Sequence, residues 1–436
     1  MIVGVATFFD AFDVLTISIA LPVLAVQWRL SPGEIGGLIS TGFLGQLFGA
    51  VLFGWIAEKF GRMPAMAYSV ALLAVMSLAC AAAWDYNSLF LFRTIQGIGI
   101  GGEVPVAATY INELSKARRR GRFFLLYEIA FGIGLTFAGL IGYWAVPRLG
   151  WQSMFIFGAL PALFAFMLRR LLPESPRWLA GIGRLDEADR IIRQMELHAL
   201  KSGEEHGIQP EPADALVDAP AWPPDTPITN NGTRWPELFS DRYRRRTLSV
   251  WGIWFTCYFV TYGLTTWLPT IYRTVFKLDV ATALRFALVT NLAGLVGDLL
   301  VAFNIDRMGR RRWLSMAFTL AALPLVALWF LGAGSAGLVV LCASLSYVFV
   351  ASNSVACYLY TPEIYPTRLR ALGSSIATAW LRIGSMVGPG LVAVMLSRSD
   401  LKAVFLMFGL VALTGTVVAG TFAIETRGRV LEEVSP

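Results

Sequence analysis

Gly54-Trp55-Ile56-Ala57-Glu58-Lys59-Phe60-Gly61-Arg62 stands in the first half of the chain, and Ala302-Phe303-Asn304-Ile305-Asp306-Arg307-Met308-Gly309-Arg310-Arg311-Arg312 answers it in the second. Each copy sets an acid, a base, a glycine and an arginine at the same spacing, with Glu58 and Asp306 lying 248 residues apart. Tyr110-Ile111-Asn112-Glu113 pairs with Tyr360-Thr361-Pro362-Glu363, glutamate to glutamate at 250 residues. Pro173-Glu174-Ser175-Pro176-Arg177 pairs with Glu425-Thr426-Arg427-Gly428-Arg429, again glutamate to glutamate, at 251. Three matched features at one period mark a duplicated chain, with two halves arranged in parallel.

The matched features lie just outside long apolar runs. A membrane-spanning helix needs about 20 mostly apolar residues. Twelve such runs are read: Val3–Val26, Glu34–Ala57, Pro64–Trp84, Ser88–Leu114, Phe123–Val146 and Trp151–Leu172, then Thr247–Tyr272, Ala281–Phe303, Trp313–Gly334, Gly337–Tyr360, Leu369–Leu396 and Leu401–Ile424. Composition agrees. Of 436 residues 56% are hydrophobic and only 15% charged, with mean hydropathy +0.61. Soluble chains carry about 25% charged residues. The apolar excess needs lipid as its solvent. The expected fold is an all-α membrane protein of twelve transmembrane helices in two pseudo-symmetric six-helix bundles.

The basic residues set an orientation. One group of connections holds thirteen Lys and Arg, among them Lys59, Arg62, Arg118, Arg119, Arg120, Arg310, Arg311 and Arg312; the other holds seven. Cytoplasmic loops carry the excess. Both termini and the middle loop are therefore expected in the cytoplasm, and a bacterial inner membrane is the expected location. The net charge of +7 has the same origin, so nucleic acid is not an expected partner. The halves are residues 1–172 and 247–436. Between them, residues 173–246 form a polar loop. Its Leu185, Ala188, Ile191, Ile192 and Met195 share one helical face, and the six prolines between Gly207 and Arg234 read as a disordered linker. Asn231-Gly232-Thr233 fits a glycosylation pattern, but a cytoplasmic loop would not meet the glycosylating enzyme. Span one starts within three residues of Met1 with no basic leader, so it is no cleavable signal; a shortened or misassigned start would produce this pattern.

At these motifs the chain resembles the major facilitator superfamily over its whole length. The loop after span two is similar to that family's signature, although Met63 and Pro64 stand at usually basic positions and Ala302 replaces the leading glycine of the second copy. Arg93-x-x-Gln96-Gly97-x-Gly99-x-Gly101 resembles the family's fourth-helix motif. Pro173-Glu174-Ser175-Pro176-Arg177 and Glu425-Thr426-Arg427-Gly428-Arg429 resemble sugar porters and related metabolite symporters. Span seven departs from sugar porters: Trp251, Trp254, Tyr258, Tyr262 and Trp267 make it aromatic, with no amide to bind hydroxyls. Glu128 stands where those porters usually carry glutamine. Asp10-Ala11-Phe12-Asp13 resembles the Asp-Gly-x-Asp of aromatic-acid/proton symporters and nicotinate-type permeases, and Trp380-Leu381-Arg382-Ile383-Gly384 resembles the same branches. The resemblance implies proton-coupled uptake of a small organic anion, such as an aromatic or heteroaromatic carboxylate, by alternating access. A sugar or polyol symporter, a drug/proton antiporter and a membrane solute sensor are the competing readings.

Charges inside spans are costly, about 2.5–3.5 kcal/mol each, and mark candidate sites. Asp10 and Asp13 lie on one face of span one, where two carboxylates repel. Asp13, deeper in the span, is the expected proton carrier; Asp10 is a second candidate, although in a solvated mouth it would be inert. Arg382 keeps its charge and needs an anion, from protein or substrate. Glu103, Glu128 and Tyr262 complete the substrate and proton candidates. Tyr127, Trp267 and Trp380 are aromatic candidates for stacking on a ring, with packing as the plainer role. Gly54, Glu58, Gly61, Arg62, Asp306, Arg307, Gly309 and Arg310 form the gating candidates, joined by Asp298 and by Arg93, a further counter-charge. Both histidines, His198 and His206, fall outside the spans, which leaves proton coupling to carboxylates. Cys80, Cys257, Cys342 and Cys357 have no metal-ligand spacing, and there is no phosphate-binding loop or nucleophile elbow. No enzyme activity, cofactor or metal is expected. The expected partners are a small-molecule substrate, protons and the lipid bilayer, and the expected assembly is a monomer.

Overall fold

The computed structural model describes residues 2–114, 120–160, 173–201, 235–398 and 400–427. Its long helices are α1 (Ile2–Gln27), α2 (Pro32–Phe60), α3 (Arg62–Ala81), α4 (Tyr86–Leu114) and α5 (Arg120–Leu149) in the first half. The short helix α6 (Gln152–Gly158) opens the sixth span, the rest of which lies outside the described residues. Two helices of the middle loop follow, α7 (Pro176–Gly181) and α8 (Leu185–Lys201). The second half holds α9 (Arg244–Thr274), α10 (Val280–Met308), α11 (Arg310–Leu331), α12 (Ala336–Glu363), α13 (Thr367–Ser397) and α14 (Leu401–Phe422). The segment expected as a disordered linker, residues 207–234, lies outside the described residues.

Nine helices among the described residues are long and apolar enough to cross a membrane. Their outward surfaces carry large apolar side chains, such as Val51 at 74% and Phe330 at 80% exposure, as lipid contact requires. Helix α9 is not among the nine, although it spans the same depth. Its threonines and aromatics depress its hydropathy, and it needs no lipid-facing stripe because nearly all its residues from Thr247 to Tyr272 are buried among other helices.

Local chemistry sets the helix ends. Ser31 and Glu34 form a reciprocal cap on α2, with Ser31 N donating to Glu34 Oε2 at 2.8 Å and Glu34 N donating to Ser31 Oγ at 3.3 Å. Asp279 caps α10 through Thr282 N at 2.9 Å. At the basic end the turns are tighter than the apolar runs suggest. Single glycines, Gly61 at φ +106° and Gly309 at φ +91°, join α2 to α3 and α10 to α11, a backbone region that a side chain would strain.

The first bundle is tied by α2 against α4. A Cβ on Gly49 would land on the Ile98 carbonyl, and one on Gly97 on the Gly42 carbonyl. Small residues at such crossings let backbones approach closely in a membrane, where water drives no helix association. The glycines of the fourth-span motif are thus packing devices. The two halves meet at the end opposite the basic loops. Ser18 Oγ reaches the Thr265 and Thr266 carbonyls at 2.8 and 2.9 Å, and Ser40 Oγ the Met386 carbonyl at 2.9 Å. Trp267 Nε1 donates to the Pro389 carbonyl at 3.0 Å within the second half, and a Cβ on Gly36 of α2 would stand 3.7 Å from its ring, which makes Trp267 a packing residue of this seal.

Helix α8 forms where the amphipathic pattern places it. Of its apolar face only Ala188 is buried; Leu185 and Ile192 are 64% and 44% exposed. Its described packing partner is the short α7, too small to cover that face.

Candidate functional site

Asp13 is the centre of a buried network that joins α1, α3 and α4. Its Oδ2 lies 3.3 Å from Arg93 Nη1, and its Oδ1 accepts from Gln96 Nε2 at 2.7 Å and from Ser77 Oγ at 3.5 Å. Gln96 Oε1 accepts from Arg93 Nη1 at 2.7 Å, while its Nε2 also donates to Ser77 Oγ at 2.6 Å. Asp13 is fully buried and Arg93 nearly so. Each charge therefore depends on the other, since an isolated ion here would be very costly. Sequence reading grouped Arg93 with the gating residues. Gln96 and Ser77 were missed, although Arg93-x-x-Gln96 places both side chains on one face of α4.

Asp10 and Glu103 have no such support. Asp10 is 1% exposed and Glu103 2%, so the solvated mouth considered for Asp10 does not apply. Neither oxygen of Asp10, nor Oε1 of Glu103, finds a hydrogen-bond partner, yet the two carboxyls are close enough to repel each other. Across the seam between halves stands Arg382, 7% exposed, its field reaching Asp10. Among the described residues it makes no ion pair; Nη1 donates to the Thr378 carbonyl at 3.4 Å, and Nε donates to nothing.

Aromatic side chains border this guanidinium. Tyr258, Tyr262 and Tyr358 all contribute to its electrostatic surroundings. Along α9, Trp254 stacks on Tyr258 with ring centroids 5.6 Å apart, and Tyr258 on Tyr262 at 5.9 Å. Phe43 of α2 meets Tyr262 at 4.9 Å, so the stack bridges the two halves. Trp380 stacks instead on Trp251, centroids 5.3 Å apart, and is tied up in that pair. The Glu128 and Tyr127 side chains fall outside the described residues.

The gating candidates separate into three groups. Arg310 grips Glu363 with two parallel bonds of 3.1 Å and lies 2.8 Å from Asp306. Arg310 N also donates to Glu425 Oε1 at 2.9 Å. In the first half Glu174 plays the matching part: its Oε1 accepts from Arg62 N at 3.0 Å and its Oε2 from Met63 N at 3.2 Å. Arg62 Nη1 donates to the Ala57 carbonyl at 2.8 Å. Glu174 and Glu425 thus fill equivalent places, and the internal repeat had already paired them. Glu58 and Arg307 are exposed, without an ion pair among the described residues, and a Cβ on Gly54 would meet nothing. In the described state Glu174 is an acid that holds the first turn. Asp298 belongs to neither latch. It is half-buried at the seam, where a Cβ on Gly132 of α5 would stand 3.0 Å from its Oδ2.

Comparison with known proteins places this geometry. The family model of sugar (and other) transporters matches residues 26–436. The niacin transporter NiaP of Acinetobacter baylyi is 33% identical over 99% of this chain and 95% of its own length. The gallate transporter of Pseudomonas putida is 30% identical over 93% of this chain and 86% of its own. Among solved structures, the proton:xylose symporter XylE of E. coli superposes with a TM-score of 0.72 at 18% identity, covering 99% of this chain and 97% of that one.

Proposed function

Given that the chain belongs to the sugar (and other) transporter family of the major facilitator superfamily, and is a multi-pass membrane transporter rather than an enzyme, we propose that it takes up a small aromatic or heteroaromatic carboxylate together with protons. One observation carries this reading: Arg382 is a buried, permanently charged guanidinium with no carboxylate partner among the described residues, set beside a stack of aromatic rings. A planar carboxylate would supply the two oxygens that the fork of the guanidinium lacks and would lay its ring against the Tyr258–Tyr262 stack. Niacin and gallate, the substrates named for the two relatives, are carboxylates on aromatic rings. A sugar offers no anion for Arg382, which weighs against the hexose or polyol reading.

The proton has a separate place. Asp13 is already neutralised by Arg93, whereas Asp10 and Glu103 face each other without donors. A proton held between them removes their repulsion. An anion at Arg382 and a proton between Asp10 and Glu103 each remove an unbalanced charge from the same buried region. Substrate and proton then stabilise one another, as symport requires. Taking the basic loops as cytoplasmic in a bacterial inner membrane, the described state is closed to the outside through the Ser18 and Ser40 contacts between the halves. Rocking of the halves about the midplane site would expose it to either side in turn.

The test is uptake by purified protein in liposomes with an inside-alkaline gradient, offering nicotinate, benzoates and hexoses. Uphill accumulation of an aromatic acid that stops when the gradient collapses is the expected result. Hexose uptake with no aromatic-acid uptake would overturn the reading.

A further inference from the structure

Beyond the transport path, a cleft of about 700 Å³ opens at the basic end of the second half, where α10, α11 and α14 end or begin. Three guanidinium-bearing residues line it, Arg311, Arg312 and Arg427, with Met308 and Met316 as its apolar wall. The single acid, Glu425, is already engaged: its Oε1 accepts from the backbone N–H groups of Arg310, Thr426 and Arg427 at 2.9, 3.1 and 3.1 Å. Arg311 is pinned in place, its Nε donating to the Gly420 carbonyl at 3.0 Å. Among the described residues no carboxylate pairs with Arg311, Arg312 or Arg427. The cleft therefore holds a net positive charge that the protein leaves unanswered.

Its position names the kind of anion. The last turns of α14 expose Val417 at 58% and Phe422 at 44% to the lipid side, and Arg245 packs over the Phe422 ring at 5.2 Å. The cleft thus straddles the border between the apolar belt and the polar end. An anion with its charge in the polar layer and its apolar part along α14 fits that border. The repeat adds a second argument. Met63 and Pro64 occupy the places of Arg311 and Arg312 in the first half, while the glutamate contact to the helix start is present in both. The two arginines are not needed for that contact, and at their places the first half carries no guanidinium.

We infer that this cleft binds the phosphodiester headgroup of one anionic phospholipid per chain. Arginine forks match phosphate oxygens, and basic pockets between membrane helices select anionic headgroups. The full chain, purified in a mild detergent, is mixed with phosphatidylglycerol or with phosphatidylcholine and read by native mass spectrometry. One retained phosphatidylglycerol, with at least ten-fold weaker retention of phosphatidylcholine, is expected. The R311Q/R312Q double variant should lose that preference, and Met316→Trp should lose it as well by filling the cleft without removing a charge. Equal retention in both variants, or no preference between the two lipids, would overturn the inference. Displacement of the lipid by millimolar inorganic phosphate would make the cleft a free-anion site and equally overturn it. The readout is independent of transport.

Discussion

Arg93 reaches across the α1–α4 contact to Asp13, its Nη1 3.3 Å from Oδ2, with neither side chain appreciably exposed to solvent. The relationship divides the acids of α1 into one that is paired and one that is not. On the function proposed above, it moves the proton from Asp13, which its depth in the span favoured, toward Asp10 and its neighbour Glu103.

Removing one member of the buried pair leaves the other uncompensated, at a cost of about 3–5 kcal/mol. Asp13→Ala and Arg93→Ala should each melt well below the parent protein. The double variant should recover part of the loss, because no lone charge remains. Thermal melts of the three proteins in one detergent check this; a double variant no better than the sum of the singles would count against it.

Asp10→Asn and Glu103→Gln should abolish accumulation driven by a pH gradient while leaving substrate exchange at equal pH. Counterflow measured beside gradient-driven uptake separates the two. Full gradient-driven accumulation in either variant would remove that residue from the proton path.

Arg382→Lys keeps the charge and loses the planar fork. The apparent affinity for an aromatic carboxylate should weaken by about ten-fold or more, since one well-placed charged hydrogen bond is worth about 1.5–3 kcal/mol. Competition binding on folded protein reads it. Unchanged affinity would assign Arg382 to structure.

The glycines make a contrasting pair. Gly49→Leu should prevent assembly, because the side chain would enter the Ile98 backbone. Gly54→Ala should be neutral or stabilise by up to about 1 kcal/mol, since the position is helical with open space and alanine is the better helix former. Expression and melting temperature report both. Loss of transport in a well-folded Gly54→Ala protein would place that residue in the gate.

Arg310→Lys cannot reproduce the two bonds to Glu363, so the basic end of the second half should loosen. Hydrogen exchange at the start of α11 should rise, with no change in substrate affinity.

Much of this protein was legible from the chain alone. Membrane spans announce themselves because lipid demands about 20 apolar residues and internally satisfied backbone. Duplication showed in Glu58 and Asp306, and in Glu174 and Glu425, because loops at one membrane face keep local patterns. The charged residues within spans were equally visible, since their insertion cost marks them out. Tertiary structure decided how those charges divide. Asp10 and Asp13 share a helix face, but whether Arg93 meets one or the other depends on how closely α4 approaches α1. Where the guanidinium can lie is also decided by α2, whose Gly42 leaves the space that Arg93 fills, remote in sequence from both aspartates. Pairing in a low-dielectric interior is a matter of a few ångströms between helices, and periodicity along one helix carries no information about that distance.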